Sequence, residues 1–293
     1  MYIVLTISLV KGSIEETRMT STKTHSIVVT SIQRDQLERV DRWLSPSDPS
    51  TNYNKAKEQR LEGTGQWLVN SEVFTSFKNG NVPFLWLNGI PGCGKTVLSS
   101  SIIEDLKQSS SDNSTAILYF YFDFNDTRKQ TLDNALRSLL WQATTYSGDS
   151  LRDLQQLYDS CGKGKDQPST QSLIQSLEKD LLALNRTIMV LDALDECTTR
   201  PVLLPWLARL AQRPVRNLQI IATSRKEHDI EIAFEGWLSE SAIVPLQQLD
   251  VDQDIGAYVS NRLHTDPQLG RWQDEPDVQN EIETELMEKA NGM

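Results

Sequence analysis

Eight consecutive residues, Gly89-Ile90-Pro91-Gly92-Cys93-Gly94-Lys95-Thr96, have the types and spacing to hold the phosphates of a nucleotide. Gly89, Gly92 and Gly94 lack a Cβ, so the backbone there can curl until its N–H groups point inward at phosphate oxygens. Val97, Leu98, Ile102, Ile103 and Leu106 follow at helical spacing, so the loop opens a helix whose positive end faces the same oxygens. Lys95 would add a point charge at the β- and γ-phosphates. Thr96 would offer a hydroxyl to Mg²⁺, a hard cation that takes oxygen ligands and keeps several waters. The nucleotide-binding set is therefore Gly89, Ile90, Pro91, Gly92, Cys93, Gly94, Lys95, Thr96 and Val97. Cys93 reads as a small filler in the loop rather than a redox group.

Two further groups stand at the ends of apolar runs. Thr187-Ile188-Met189-Val190-Leu191 leads into Asp192-Ala193-Leu194-Asp195-Glu196, and open α/β sheets carry their chemistry at such carboxyl ends of strands. One acid there can hold the metal shell, and a neighbour can orient or deprotonate an attacking water. Asp192 is the metal candidate alongside Thr96; Glu196 is the first candidate for the water and Asp195 the second. Leu218-Gln219-Ile220-Ile221-Ala222 ends in Thr223-Ser224-Arg225, and the planar guanidinium of Arg225 suits a γ-phosphate contact.

These groups need a scaffold that brings several strand ends together. The run Phe84 to Leu87 before the glycine loop, Ala116 to Phe122, and a last run Ala242 to Leu246 supply strands. The run at 116–122 is apolar enough to be buried on both faces, as in parallel sheets. Helical stripes lie between them: Leu132, Leu136, Leu139, Leu140 and Ala143; Leu151, Leu154, Leu157 and Tyr158; Leu173, Ile174, Leu177, Leu181 and Leu182; Val202, Leu203, Trp206, Leu207 and Leu210. Ile255, Tyr258, Val259 and Leu263 predict another helix. A final one carries Ile282, Leu286, Met287 and Ala290 and stops at Asn291-Gly292. Upstream, Leu37, Val40 and Leu44 predict a short amphipathic helix, 45–50 a linker, and Gln66 to about Phe77 one helix turning Trp67, Leu68 and Phe74 inward. The expected fold is a three-layer α/β sandwich with a parallel sheet, glycine loop and acidic strand adjacent at its carboxyl edge. Residues 1–62 form an N-terminal extension with a linker, 63–246 the nucleotide domain, and 247–293 a helical lid segment.

Composition narrows the function. The 293 residues carry 29 basic and 40 acidic side chains, a net charge of −11, which argues against a protein that holds nucleic acid by general phosphate attraction. Three cysteines, Cys93, Cys161 and Cys197, are few, odd in number and without metal-ligand spacing, which fits a reducing compartment. Tyr2 to Val10 is apolar but has no basic residue before it and is too short to span a bilayer; a peripheral strand, or a start at Met19, is the expectation. No transmembrane run and no internal repeat is found, and the expected location is cytoplasmic.

The phosphate loop, LDALDE and IIATSR, in this order and at these separations, resemble the NACHT branch of the STAND class of P-loop NTPases. WLSPSDPSTNYNKAKEQRLEGTGQWLV and FYFDFNDTRKQTLDNALRSLLWQ are similar to the nephrocystin-3-like N-terminal domain of fungal NOD-like receptors, proteins that often continue into ankyrin, WD40 or TPR repeats. The resemblance spans about Trp43 to Met293. It implies an AAA+-like core that binds ATP or ADP with Mg²⁺ and hydrolyses slowly. It also implies a switch in which ADP holds a closed form and ATP lets NTPase domains self-associate. By the resemblance Gly89, Gly94, Lys95 and Thr96 bind phosphates and Mg²⁺, Asp192 the metal, and Arg225 senses the γ-phosphate. Relatives continue into a winged helix and sensor repeats, so the expectation is a truncated receptor with a partial lid. Its exposed apolar surface near Leu286 and Met287 would favour self-association or a partner. Two alternatives stay open: a GTPase or small kinase, although Asn54-Lys55-Ala56-Lys57 lacks the acid of a guanine reader, and a non-catalytic nucleotide-binding scaffold or a fragment acting through its partners.

Lys95→Ala is expected to abolish nucleotide binding, a loss of at least about a hundredfold, because its charge and the loop amides act on the same phosphates. Titration calorimetry with ATP and ADP checks this; wild-type affinity in the variant would remove the loop from the site.

Overall fold

The computed structural model describes residues 35–110, 115–212, 217–246, 249–265 and 275–290, without side chains at 249–253, 276 and 287–290. The apolar run at Tyr2, the alternative start Met19 and the terminal Asn291-Gly292 lie outside the described residues. The chain divides into two units, one of residues 1–45 and 158–167, the other of residues 46–157 and 168–293. In the smaller unit, helix α1 (residues 35–44) buries Val40, Trp43 and Leu44 and leaves Leu37 at its exposed edge. The Trp43 indole N–H donates to the Asp166 carbonyl at 2.8 Å, and the ring meets Tyr158 edge-on at 5.3 Å.

Along the rest of the chain run α2 (Ser50–Gln59), α3 (Gln66–Val69), α4 (Glu72–Lys78), β1 (Phe84–Asn88), α5 (Lys95–Ser109), β2 (Ala116–Tyr121), α6 (Leu132–Ala143), α7 (Gly148–Ser160), α8 (Thr170–Ala183) and β3 (Thr187–Asp192). Then come α9 (Arg200–Gln212), β4 (Leu218–Ser224), α10 (His228–Phe234), β5 (Ile243–Pro245), α11 (Leu249–Thr265) and α12 (Pro276–Ala290). Among the described residues the five strands form one parallel sheet in the order β2-β3-β4-β1-β5. The parallel sheet is as expected, but the glycine loop and the acidic strand are not on neighbouring strands. β4 lies between them, paired with β1 on one side and β3 on the other.

Period-two alternation sorts the strand residues onto two faces. Leu85, Leu87, Ile117, Tyr121, Ile188, Val190 and Ile221 face a core completed by Leu98, Ile102, Ile103 and Leu106 of α5 and by Leu68, Val69, Phe74 and Phe77 of α3 and α4. On the opposite face Phe84 and Trp86 meet Phe234 of α10 at 5.3 and 5.1 Å, and Trp237 closes the group edge-on. Each of these buried side chains contributes roughly 2 kcal/mol of transfer free energy, with somewhat more from edge-to-face geometry. α9 packs between α6 and α10, and α8 covers α6, giving helix, sheet and helix layers.

The α6 stripe is buried at all five predicted positions. Other expectations need correction. The helix expected from Gln66 to Phe77 is two helices, because the Ser71 side chain accepts from the Phe74 N–H and caps a new start at Glu72. Leu68 and Phe74 are buried, whereas Trp67 is only partly so. Leu182 and Val202 fall off their stripes and are 68% and 49% exposed. Leu286 of α12 is exposed, as expected, and the Met287 side chain lies outside the described residues. No described helix is long and apolar enough to cross a membrane.

Asp180 of α8 and Ser150 of α7 are buried, and neither side chain has a hydrogen-bond partner among the described residues. Burial pushes the Asp180 carboxyl up to about 6, helped by Asp153, while the Ser150 hydroxyl and Lys179 pull the other way. A carboxyl whose folded pKa lies above its unfolded value costs nothing below the unfolded pKa, and its penalty grows as pH rises from there to the folded pKa and then levels off. Asp180→Asn should therefore stabilise the fold by on the order of 2 to 3 kcal/mol at pH 7.5 and by only about 0.5 kcal/mol at pH 4. Urea denaturation at the two pH values measures this; an equal gain at both would trace the effect to packing instead.

Candidate functional site

The glycine loop leaves β1 at Gly89, whose N–H donates to the Ser224 carbonyl at the end of β4, 3.2 Å away. A Cβ on Gly89 would lie 2.5 Å from Cys93 Sγ and 3.0 Å from Leu246 Cβ, so the close approach of the chain requires glycine. Gly94 has φ +84° and turns the chain into α5, which begins at Lys95. The Lys95 ammonium arches back across the loop and donates to the carbonyls of Gly89 at 2.9 Å and Ile90 at 2.8 Å, 3.8 Å from Cys93 Sγ. Burial pushes the Cys93 thiol up despite that charge, which keeps it neutral.

One helical turn gathers the next residues around Asp192. Thr96 Oγ1 donates to Asp192 Oδ2 at 2.8 Å, Ser99 Oγ donates to Oδ1 at 2.6 Å, and Thr223 Oγ1 from β4 also donates to Oδ1 at 2.7 Å. The carboxyl is almost wholly buried, which pushes its pKa up; the three hydroxyls and the Lys95 charge act in the opposite direction. The intervening strand thus joins the site rather than separating it. Thr96 Oγ1 and Asp192 Oδ2 form a pair of hard oxygens within hydrogen-bond distance at the head of α5, a donor set that fits Mg²⁺.

Beyond Asp192 the chain turns sharply. Ala193 adopts φ +58°, a left-handed conformation that costs of order 1 kcal/mol for a residue with a Cβ. Its N–H donates to Thr223 Oγ1 at 2.9 Å, which holds the turn in place. A single 3₁₀ turn, Leu194–Glu196, then points the two acids apart. Asp195 has a side chain only 3% exposed and accepts from Arg225 twice, from Nε and from the main-chain N–H, each at 3.0 Å. Glu196 Oε2 accepts from the Phe124 N–H at 2.9 Å. Burial pushes the Glu196 carboxyl up, and Asp195, Asp123 and Asp192 add to this against the Phe124 bond.

A cavity of about 620 Å³ opens beside these groups, lined among others by Phe124, Asp195, Glu196, Arg200, Arg225 and Glu227. The structure brings together Thr96 with Asp192, and Asp195 with Arg225; it sets Glu196 against the loop after β2. Sequence reasoning missed Ser99, Arg200 and Phe124. Ser99 was open to discovery, since it follows Thr96 by three residues and shares its helix face. Arg200, the first residue of α9, belongs to no motif that would have marked it.

Residues 63–225 match the family described as nephrocystin 3, N-terminal, a span that starts at the turn before α3 and ends at Arg225. Vegetative incompatibility protein HET-E-1 of Podospora anserina is 26% identical over 231 residues, covering 76% of this chain and 17% of that protein, so the chain spans a small part of the relative's length. Among solved structures, Cdc6p from Pyrobaculum aerophilum gives a TM-score of 0.41 at 16% identity over 74% of this chain and 52% of that one. Domain III of the replication initiation protein DnaA from Thermotoga maritima gives 0.38 at 16% identity over 75% and 77%.

The hydroxyl of Thr223 serves a buried carboxylate and a buried N–H at once. Thr223→Val, which keeps the shape and removes both bonds, should destabilise the domain by about 2 kcal/mol, measured by chemical denaturation. An unchanged midpoint would mean that the two groups find other partners.

Proposed function

The chain belongs to the nephrocystin 3 N-terminal family of NACHT-type P-loop NTPases, and from that membership we propose that it is a Mg²⁺-dependent ATP- and ADP-binding switch that hydrolyses ATP slowly. The observation that carries the reading is the bond between Thr96 and Asp192, which sets a loop-end hydroxyl and a strand-end carboxylate together beneath the glycine loop. In this reading Gly89 to Val97 enclose the phosphates. Lys95 exchanges its two carbonyl partners for β- and γ-phosphate oxygens, and α5 directs its positive end at them. Mg²⁺, when held by Thr96 and Asp192, would neutralise phosphate charge.

Glu196 is assigned the attacking water. It borders the cavity, its raised pKa brings it nearer the working pH of a general base, and its partner is an N–H donor rather than a cation. Asp195 is bound to Arg225, so its role is to hold the arginine that contacts the γ-phosphate. The switch follows from this pairing. An Arg225 drawn to a phosphate must loosen from Asp195, and such a charge change at a loop can bias which form of the protein assembles with further copies. The similarity to a vegetative incompatibility protein supports a signalling use of this kind.

Mass spectrometry of nucleotide released from the purified protein tests the reading: ADP supports it, GDP favours the GTPase alternative, and an empty site favours a fragment that acts through its partners. Glu196→Gln should bind ATP normally and turn it over about a hundredfold more slowly. The wild-type rate should fall on the acid side at a pH above the ordinary glutamate range, since the base works ionised and its pKa is raised. That limb should vanish in Glu196→Gln. If Asp195→Asn loses turnover and Glu196→Gln keeps it, the two roles are exchanged.

A further inference from the structure

The acids and the arginine of the candidate site sit on two loops. One follows β3 and carries Asp195 and Glu196; the other follows β4 and carries Arg225, Glu227 and the approach to α10. Asp195 and Arg225 meet between them, but Arg225 is nearly half exposed, and an ion pair of that kind contributes on the order of 1 kcal/mol or less. Beyond that pair and the bond from the Arg225 main-chain N–H to Asp195, a further link is needed to hold the two loops in register beside the cavity.

Arg200 has the geometry for it. Its Nη1 donates to the main-chain carbonyl of Asp195. Its Nε donates to Asp229 Oδ2 at 2.8 Å and its Nη2 meets Glu227 Oε2 at 2.9 Å. The guanidinium is planar and rigid, so three bonds in one plane fix the relative position of three partners as a flexible ammonium cannot. Two of those partners belong to the segment after β4 and one to the loop after β3. The side chain is a quarter exposed, far less than a solvated arginine at a helix start. Among the carboxylates of the cavity, Glu227 and Asp229 both pair with Arg200, Asp195 pairs with Arg225, and Glu196 is set against an N–H.

We propose that Arg200 is a positioning residue that ties the loop after β3 to the segment after β4, and so fixes the Asp195 carboxylate opposite Arg225 and leaves Glu196 facing the cavity. Arg200 itself touches no substrate. Its effect on turnover rests on the hydrolytic reading given above, whereas its effect on the loops does not.

Hydrogen exchange on the full chain tests the clamp directly, with Arg200→Gln compared with the wild type and with Glu227→Gln/Asp229→Asn. In Arg200→Gln, amides of both 193–199 and 225–229 should exchange roughly tenfold faster, while the phosphate loop and β3 keep their protection. The acid pair variant, which retains Arg200, should reproduce that pattern. Combining all three substitutions should add nothing, because each removes the same link. Arg200→Lys, a point charge without the fork, should restore less than half of the protection. ATP turnover should drop about tenfold in Arg200→Gln with the ATP Kd within about twofold of wild type. Unchanged exchange, faster exchange in one loop alone, or effects that multiply in the triple variant would overturn the clamp. Loops that loosen as described in a protein that never hydrolyses ATP would uphold the clamp and defeat the hydrolytic reading. Active wild-type enzyme with unaltered loops in Arg200→Gln would do the reverse.

Discussion

The arrangement depends on one buried carboxylate. An ionised Asp192 without partners would cost several kcal/mol in an interior of low dielectric. Three hydroxyls, from Thr96 and Ser99 of α5 and from Thr223 of β4, supply the donors that make burial tolerable. Each reaches Asp192 only if its own element is in place. The requirement therefore links the head of α5, the end of β3 and the end of β4 in one condition, and the glycine loop, which must deliver Thr96 there, inherits it.

The local devices around that carboxylate all serve placement. Gly89 lets the chain pass between Cys93 and Leu246, and Ala193 accepts a strained conformation so that the acids after it diverge. The strain is held by the bond from the Ala193 N–H to Thr223, the same hydroxyl that serves Asp192. A handful of side chains does double duty here, which is why single substitutions at them act on stability and on site geometry together.

How much of this the sequence disclosed varies with the length scale of the signal. The glycine loop, α6, β3 and β4 were legible because glycine spacing, helical stripes and apolar runs are local patterns. α2 was not, because STNYNKAKEQ has no apolar stripe. Ala56 is its buried residue, and the helix is held by other means: Lys57 and the following Arg60 pair with Glu104 of α5, and Lys129 donates to Thr51 and Asn52. α10 was missed because a seven-residue helix with only Ile230 and Phe234 buried is too short to show a clear periodicity. The break at Ser71 was hidden by apolar residues on both sides of it. Strand order, and with it the pairing of Asp195 with Arg225 across thirty positions, is a matter of topology that no local pattern encodes.

The place of β4 carries a mechanical consequence. It is laddered to β1 from Ile220 to Ser224 and to β3 from Leu218 to Ala222, so sliding it would break backbone bonds along both margins at once. The strand is in effect a fixed rail between the phosphate loop and the acid. Under the switch reading proposed above, news of what occupies the cavity would not travel as sheet motion but through the swing of side chains mounted at the end of the rail and the short loops beyond it, a stationary frame with a moving trigger.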